Sequence, residues 1–357
     1  MDLFSPVSLG DLRLPNRIVM APLTRMRSGA AGVPGDLVVE HYAQRASVGL
    51  IITEGTFPSP ESRSYPGQPG IVTGAQVDGW RRVADAVHAR GGRIVMQLMN
   101  GGRVSHPDIT GTDRIVAPSA IAINGEVHTA TAKLPYPVPH ALTLDELSVV
   151  RDEFVAAATN AIAAGLDGVE LHSANGYLLH QFLSGASNRR EDGYGGSPQN
   201  RARFVVEVAT AVADAIGAGR VGIRLSPMHN IQDVAETDPD DAQATYEALI
   251  DGIAPLGLAY LSILHREPTG LLVQGLRARF GGKLIANSGF TSVTSRAEAL
   301  ALISDSSADA VAVGRLAIAN PDLVERWRDD EAENTPNAQT FYGPGAEGYT
   351  DYPRLSA

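Results

Sequence analysis

No cysteine occurs among the 357 residues, which removes thiolate nucleophiles, iron–sulfur clusters and thiolate zinc sites from consideration and leaves the fold without disulfides. Lysine is almost as scarce: of 29 basic residues only Lys133 and Lys283 are lysines, the rest being arginine. Long apolar runs are missing too. The stretch Gly49–Ile52 is typical, far below the roughly 20 residues that a bilayer-spanning helix needs, so no membrane partner is expected. The first residues, Met1 to Pro6, lack the basic start and apolar stretch of a signal peptide, and the cytoplasm is the expected location. Positive charge is in deficit. A net charge of -11 and a pI near 5.3 argue against nucleic acid or an anionic membrane as the main partner.

What is present is the material of a soluble enzyme, 44% hydrophobic and 19% charged, enough to bury a full core. After a short candidate hairpin at Ser8 to Leu14, placed to plug a barrel floor, β-type runs alternate with helical patterns. The strands are expected at Arg17–Met20, Leu50–Glu54, Arg93–Leu98, Gly168–His172, Val221–Leu225, Tyr260–Leu264, Leu284–Asn287 and Ala310–Val313. Helical periodicity covers Leu37–Arg45, Val77–Ala89, Leu144–Ala164, Asn200–Ala215, Asp241–Leu256, Val273–Arg279, Ser292–Ile303 and Pro321–Arg328, with Thr143 and Glu146 spaced as a capping box. Alternating β and α units imply a parallel sheet, and eight of them favour a closed (β/α)8 TIM barrel, an α/β fold of one domain over residues 1–357. The surplus over a plain barrel lies in a segment after the third strand, Ser105–His140, and in a C-terminal tail after Trp327. Both are expected to act as lids.

Active sites of such barrels lie at the C-terminal ends of the strands, and here those ends are polar. The first strand runs into Pro22, Leu23, Thr24 and Arg25, the second ends at Glu54 and Gly55, and the third carries Gln97. The fourth ends in His172, Asn175 and Tyr177, and the fifth carries Arg224. Packing alone would place apolar residues at these points. The seventh strand gives Ser288 and Gly289 and the eighth Gly314 and Arg315, at the place where barrels commonly hold a phosphate. Small residues there let backbone N–H groups approach an anion that the arginine can fork.

Together with these residues, the segments Asn16 to Arg25, His172 to Leu183, Asn188 to Ser197, Asn320 to Leu323 and Gly348 to Pro353 make the chain resemble the Old Yellow Enzyme family over nearly its whole length. Thr24 and Asn175 place it closer to the classical branch, similar to N-ethylmaleimide and pentaerythritol tetranitrate reductases. The resemblance implies noncovalent FMN, NADPH or NADH as reductant, and an NADPH dehydrogenase or ene-reductase that reduces activated C=C bonds of α,β-unsaturated carbonyl compounds. Maleimides and nitro compounds are further candidate substrates. A small-molecule substrate and the nicotinamide are the expected partners, and either a monomer or a homodimer is consistent with the chain.

Reducing an enone develops negative charge on its carbonyl oxygen, so the site needs donors aimed there. His172 and Asn175 supply them, spaced as one helical turn at a strand-to-helix junction, and the Tyr177 phenol can deliver a proton as general acid. Arg224 suits the anionic end of a reduced flavin, Gln97 its pyrimidine edge and the Thr24 hydroxyl its C4=O. By resemblance Pro22, Leu23 and Gly55 line the ring, and Tyr65, Phe341 and Tyr342 line the substrate pocket. Met99 departs from the family, which usually carries tryptophan there, and is expected to enlarge one side of the pocket. A flavin store without turnover would have little reason to keep Tyr177 with His172 and Asn175. A flavin-free lyase or isomerase would commonly use a strand-end lysine or paired carboxylates, and neither lysine lies at a strand end.

Overall fold

The computed structural model describes residues 1–289 and 292–355. Eight strands, β1 (Ile18–Met20), β2 (Leu50–Ile52), β3 (Ile94–Leu98), β4 (Gly168–Ser173), β5 (Val221–Leu225), β6 (Tyr260–Leu264), β7 (Leu284–Asn287) and β8 (Ala310–Val313), pair in chain order into a closed barrel. All neighbours are parallel, and β8 closes on β1 through the register Val311 with Ile18 and Val313 with Met20. Each strand is buried along its length, because successive side chains point alternately into the barrel and out toward the helices. Ile18, Ile51, Met96, Leu171 and Ile223 point outward and join the main core beneath the helices.

The inward residues are layered. Val19, Leu50, Ile52, Val95, Ile285, Ala310 and Ala312 form an apolar floor together with Val7, Leu9, Leu12 and Leu14 of the hairpin Val7–Leu9/Leu12–Leu14. The expected plug is therefore present, tied down by the Asp11 N–H donating to the Gly219 carbonyl at 2.9 Å. One step up each strand, the same inward face carries Gln97, Glu170, His172, Arg224, Ser262 and Asn287, all buried.

The barrel helices are α1 (Asp36–Gln44), α2 (Gly74–His88), α3 (Leu144–Ala163), α4 (Pro198–Ile216), α5 (Pro239–Ile253), α6 (Leu271–Phe280), α7 (Arg296–Ser304) and α8 (Leu323–Asp329). Several begin earlier than the apolar periodicity suggests, because caps lie ahead of the first apolar residue. Thr73, Ser197 and Asp238 accept backbone N–H groups, and Pro198 and Pro239 occupy the first turn. α7 instead starts later, at Arg296 rather than Ser292, because its cap is Ser295, which accepts the Glu298 N–H. The Thr143–Glu146 capping box forms as expected.

The insertion after β3 has structure of its own, an antiparallel hairpin Glu126–His128/Lys133–Pro135 and a parallel pairing of Val116–Ala117 with His140–Ala141. Among the described residues no helix is long and apolar enough to cross a membrane.

Candidate active site

The corner after β4 carries the densest chemistry. β4 continues through His172 to Ser173, and Asn175 and Gly176 then turn in the left-handed region at φ 58° and 82°. The expected helical turn between His172 and Asn175 is thus corrected: a strand residue and a left-handed turn residue meet there. Gly176 is required because a Cβ would stand 2.9 Å from the Gln232 Cβ and 3.0 Å from the Ile231 carbonyl.

Hydrogen bonds fix this turn from behind. The Asn175 N–H donates to Ser226 Oγ at 2.8 Å, and the Gly176 N–H donates to His180 Nδ1 at 3.0 Å. His180 must then carry its proton on Nε2, which donates to Glu236 at 3.2 Å, and Tyr246 Oη donates to the same carboxylate at 3.0 Å. Gln232, on the loop after β5, donates its amide to the Asn175 carbonyl at 3.1 Å.

Tyr177, buried and at the start of a short helix Leu178–Leu183, places its Oη 2.6 Å from Tyr65 Oη. Burial pushes the Tyr177 phenol up to about 12 and Tyr65 well above its ordinary value, and the phenols of Tyr136 and Tyr342 add to both effects. The His172 ring lies 5.0 Å from that of Tyr177. Burial, then the Arg224 charge, hold His172 well below its ordinary value, so the imidazole is neutral near pH 7.

Arg224 neighbours His172 across the β4–β5 register and donates to Ser262 Oγ at 3.2 Å and Asn287 Oδ1 at 3.3 Å. Buried polar atoms on this wall without a protein partner include His172 Nδ1, Asn175 Oδ1 and Arg224 Nε. Gln97 donates its amide to Glu170 at 2.8 Å.

On the opposite wall, Pro22, Leu23 and Thr24 are half-buried after β1. The N–H groups of Arg25 and Met26 donate to Glu54 Oε2 at 3.0 and 3.2 Å, and burial still raises that carboxyl to about 6. Gly55 lies beneath Met99, whose Sδ would stand 2.5 Å from a Cβ at 55. Met99 itself is buried in a small cluster with Val104, Ile123 and Tyr177, flanked by Tyr65 and Tyr136. At the ends of β7 and β8, Ser288 Oγ lies 3.1 Å from Thr294 Oγ1, Gly289 has φ 106°, and Gly314 faces Leu23. Arg315 is exposed and opens a short helix Arg315–Ala319.

The tail returns to this mouth. Arg25 donates to the carbonyls of Phe341 at 3.0 Å and Gly348 at 2.7 Å, and Arg27 donates to those of Thr340 and Gly345. Tyr349 is fully buried, stacked 3.9 Å from His41 on one side with the Arg25 and Arg27 guanidiniums 4.8 and 4.2 Å from its centroid. Phe341 packs toward Arg25, while Tyr342 is 62% exposed yet close enough to act on Tyr65 and Tyr177.

His172, Asn175, Tyr177, Tyr65 and Met99 therefore converge, with Arg224 beside His172. Gln232, Tyr136 and Glu170 belong to the same region and are absent from the sequence reading. Glu170 left a signal there, a charged residue two before His172 in an apolar strand and hence on the same face.

An eight-stranded α/β barrel with a buried arginine, neutral histidine and phenol at its mouth defines a class of barrel built around a polar ligand, and comparison supplies the family. The family model of the NADH:flavin oxidoreductase / NADH oxidase family matches residues 2–334. A probable flavin mononucleotide-dependent alkene reductase of Leishmania infantum is 42% identical over 362 residues, covering 98% of this chain and 97% of the relative. Among solved structures, morphinone reductase in complex with tetrahydroNAD superposes with a TM-score of 0.93 at 44% identity, covering 100% and 98% of the two chains. The Old Yellow Enzyme homologue of Zymomonas mobilis gives a TM-score of 0.94 at 37% identity, covering 99% and 100%. The chain belongs to the NADH:flavin oxidoreductase / NADH oxidase family, among the Old Yellow Enzyme homologues.

Proposed function

We propose that this chain is an FMN-dependent ene-reductase that reduces activated C=C bonds of α,β-unsaturated carbonyl compounds at the expense of NADPH or NADH, on one domain. The observation that carries the reading is the set of buried atoms without protein partners, His172 Nδ1, Asn175 Oδ1 and Arg224 Nε, beside the Tyr177 phenol. Buried polar groups are nearly always satisfied, so a run of orphans on one wall is what a missing polar ligand leaves behind. The donor set fits FMN: Arg224 offers a fixed positive charge and Gln97 an amide for the pyrimidine edge. Pro22, Leu23, Thr24 and Gly55 offer a narrow wall for the ring, and Ser288, Gly289, Gly314 and Arg315 a site for one terminal phosphate.

When bound, the flavin supplies a hydride that it has received from the nicotinamide. A ring N–H of His172 and the Nδ2 amide of Asn175 donate to the carbonyl oxygen of the substrate and stabilise the charge that develops on it. Tyr177 holds its proton at Oη, kept there by burial, until the α-carbon takes it. Tyr65, 2.6 Å away, fixes the direction of that hydroxyl. Maleimides present the same carbonyl to the same groups, and nitro compounds a comparable oxygen pair.

Mass spectrometry of acid-released flavin tests the cofactor, with FMN expected and FAD or a covalent adduct overturning the assignment. Oxidation of NADPH and NADH in the presence of cyclic enones, maleimides and nitroalkenes tests the reaction. A yellow protein that consumes neither nicotinamide with any of them would be a flavin carrier instead.

A further inference from the structure

Glu170 is fully buried inside the barrel, on the inward face of β4 one step below His172. Beneath it lies the apolar floor and above it the wall of orphaned polar atoms. A carboxylate in such a place is strongly disfavoured unless it is paired, so its neighbours indicate its purpose. Gln97 Nε2 donates to Oε1 at 2.8 Å, and Oε2 has no hydrogen-bond partner. Arg224 lies one strand over, and the Tyr260 ring reaches the same space because residue 222 is glycine, where a Cβ would stand 2.1 Å from the ring. Burial pushes the carboxyl above its ordinary value, and Arg224, Gln97 and Tyr260, in that order, offset only part of that rise.

Two consequences follow from the chemistry of a carboxylate. It only accepts, so the Gln97 amide is fixed with nitrogen toward Glu170 and oxygen away from it. It also opposes the positive charge of Arg224 across a dry interior.

We propose that Glu170 is a positioning residue that sets how much of the Arg224 charge reaches the flavin and which end of the Gln97 amide the flavin meets. The inference rests on the FMN reading above. Arg224 favours the electron-rich reduced flavin and Glu170 opposes it. Their balance keeps the potential high enough for a nicotinamide to reduce the flavin and low enough for the flavin to reduce an alkene. Neutralising Glu170 while keeping its shape leaves Arg224 uncompensated. It should favour reduced over oxidised flavin about tenfold, which for a two-electron couple raises the midpoint potential by about 30 mV.

The test is the midpoint potential of the holoenzyme, equilibrated with a reference dye, for wild type, Glu170→Gln and Glu170→Asp. A rise in Glu170→Gln with little change in Glu170→Asp is expected. An unchanged potential in flavin-loaded Glu170→Gln, or an equal rise in both variants, would overturn the charge argument. Should Glu170→Gln fail to retain flavin, the pair Arg224→Lys and Arg224→Lys/Glu170→Gln, which keeps a cation opposite position 170, serves. The double variant is expected to lie above the single one, and equality sinks the proposal. A wild-type protein that binds no flavin would remove the cofactor reading itself, and this inference with it.

Discussion

Tyr177 carries the sharpest expectation at the residue scale. Reduction of flavin by nicotinamide needs no proton from the protein, whereas protonation of the alkene does. Tyr177→Phe should therefore leave the first half-reaction nearly intact in stopped flow and slow the second by roughly 10²–10⁴-fold; equal slowing of both would leave Tyr177 a merely positional role. Because burial raises the phenol to about 12, it stays protonated through neutral and mildly alkaline pH. The alkene step should be flat there and fall only as the pH approaches that value. His172 and Asn175 present donors that also suit phenolates, so para-substituted phenols should give a long-wavelength charge-transfer band with oxidised flavin. An undiminished band in His172→Ala/Asn175→Ala would place the anion elsewhere. Met99 extends the same logic to specificity. Its thioether fills the notch above Gly55 and touches the Tyr177 cluster. Met99→Trp should thus narrow the pocket and shift enantiomer ratios of β-substituted enones by steric differences of about 1–3 kcal/mol. Unchanged ratios across a panel would assign Met99 to the wall.

At the scale of elements, the two most informative segments are the loop after β1 and the tail, which behave as one unit. Arg25 and Arg27 grip the tail by five carbonyls, and Tyr349 is sealed between them and His41. Tyr349→Ala should empty a fully buried aromatic site at a cost of about 3–5 kcal/mol and release Tyr342 from the mouth. Chemical denaturation would report the first effect and a raised KM for enones the second. The return of the tail to the mouth was expected from the sequence, but its grip by Arg25 and Arg27 was not legible, because guanidinium bonds to backbone carbonyls follow no periodicity and leave no pattern of residue types. The barrel strands were legible, since eight apolar runs in alternation with helical periods admit few architectures. The helix starts were less so: Thr73, Ser197 and Asp238 are polar and fall outside an apolar pattern, although their chemistry is that of caps. Asn175 shows the limit most clearly. Its spacing from His172 fits a helical turn, and only the left-handed backbone at Asn175 and Gly176 reveals a different route to the same meeting point.

For the molecule as a whole, the buried imidazoles give a stability that depends on pH. His41 and His172 are held well below their ordinary value, chiefly by burial. Their contribution is complete above the unfolded value of about 6.5 and is lost as the pH falls through the folded ones. Glu54, raised to about 6 by burial, acts oppositely: its contribution is complete below the ordinary carboxylate value and is lost as the pH rises through about 6. Between these limits the two oppose each other, and at lower pH the histidines dominate. The urea midpoint should therefore fall on acidification below that range, and less steeply in His41→Phe, which keeps a ring against Tyr349 but cannot titrate. A slope identical to wild type would acquit His41. The seam of the barrel has a consequence of another kind. β1 is flanked by β2, only some thirty residues on, and by β8, whose neighbour Asp309 accepts from Arg17 across a sequence separation of 292. On a ribosome adding roughly 5–20 residues per second, one edge of the first strand waits about 15–60 s for its second neighbour. During that interval the nascent chain presents an unpaired strand edge of the kind that recruits chaperones or other nascent chains, and the pace of translation across almost the whole message sets how long that edge stays open.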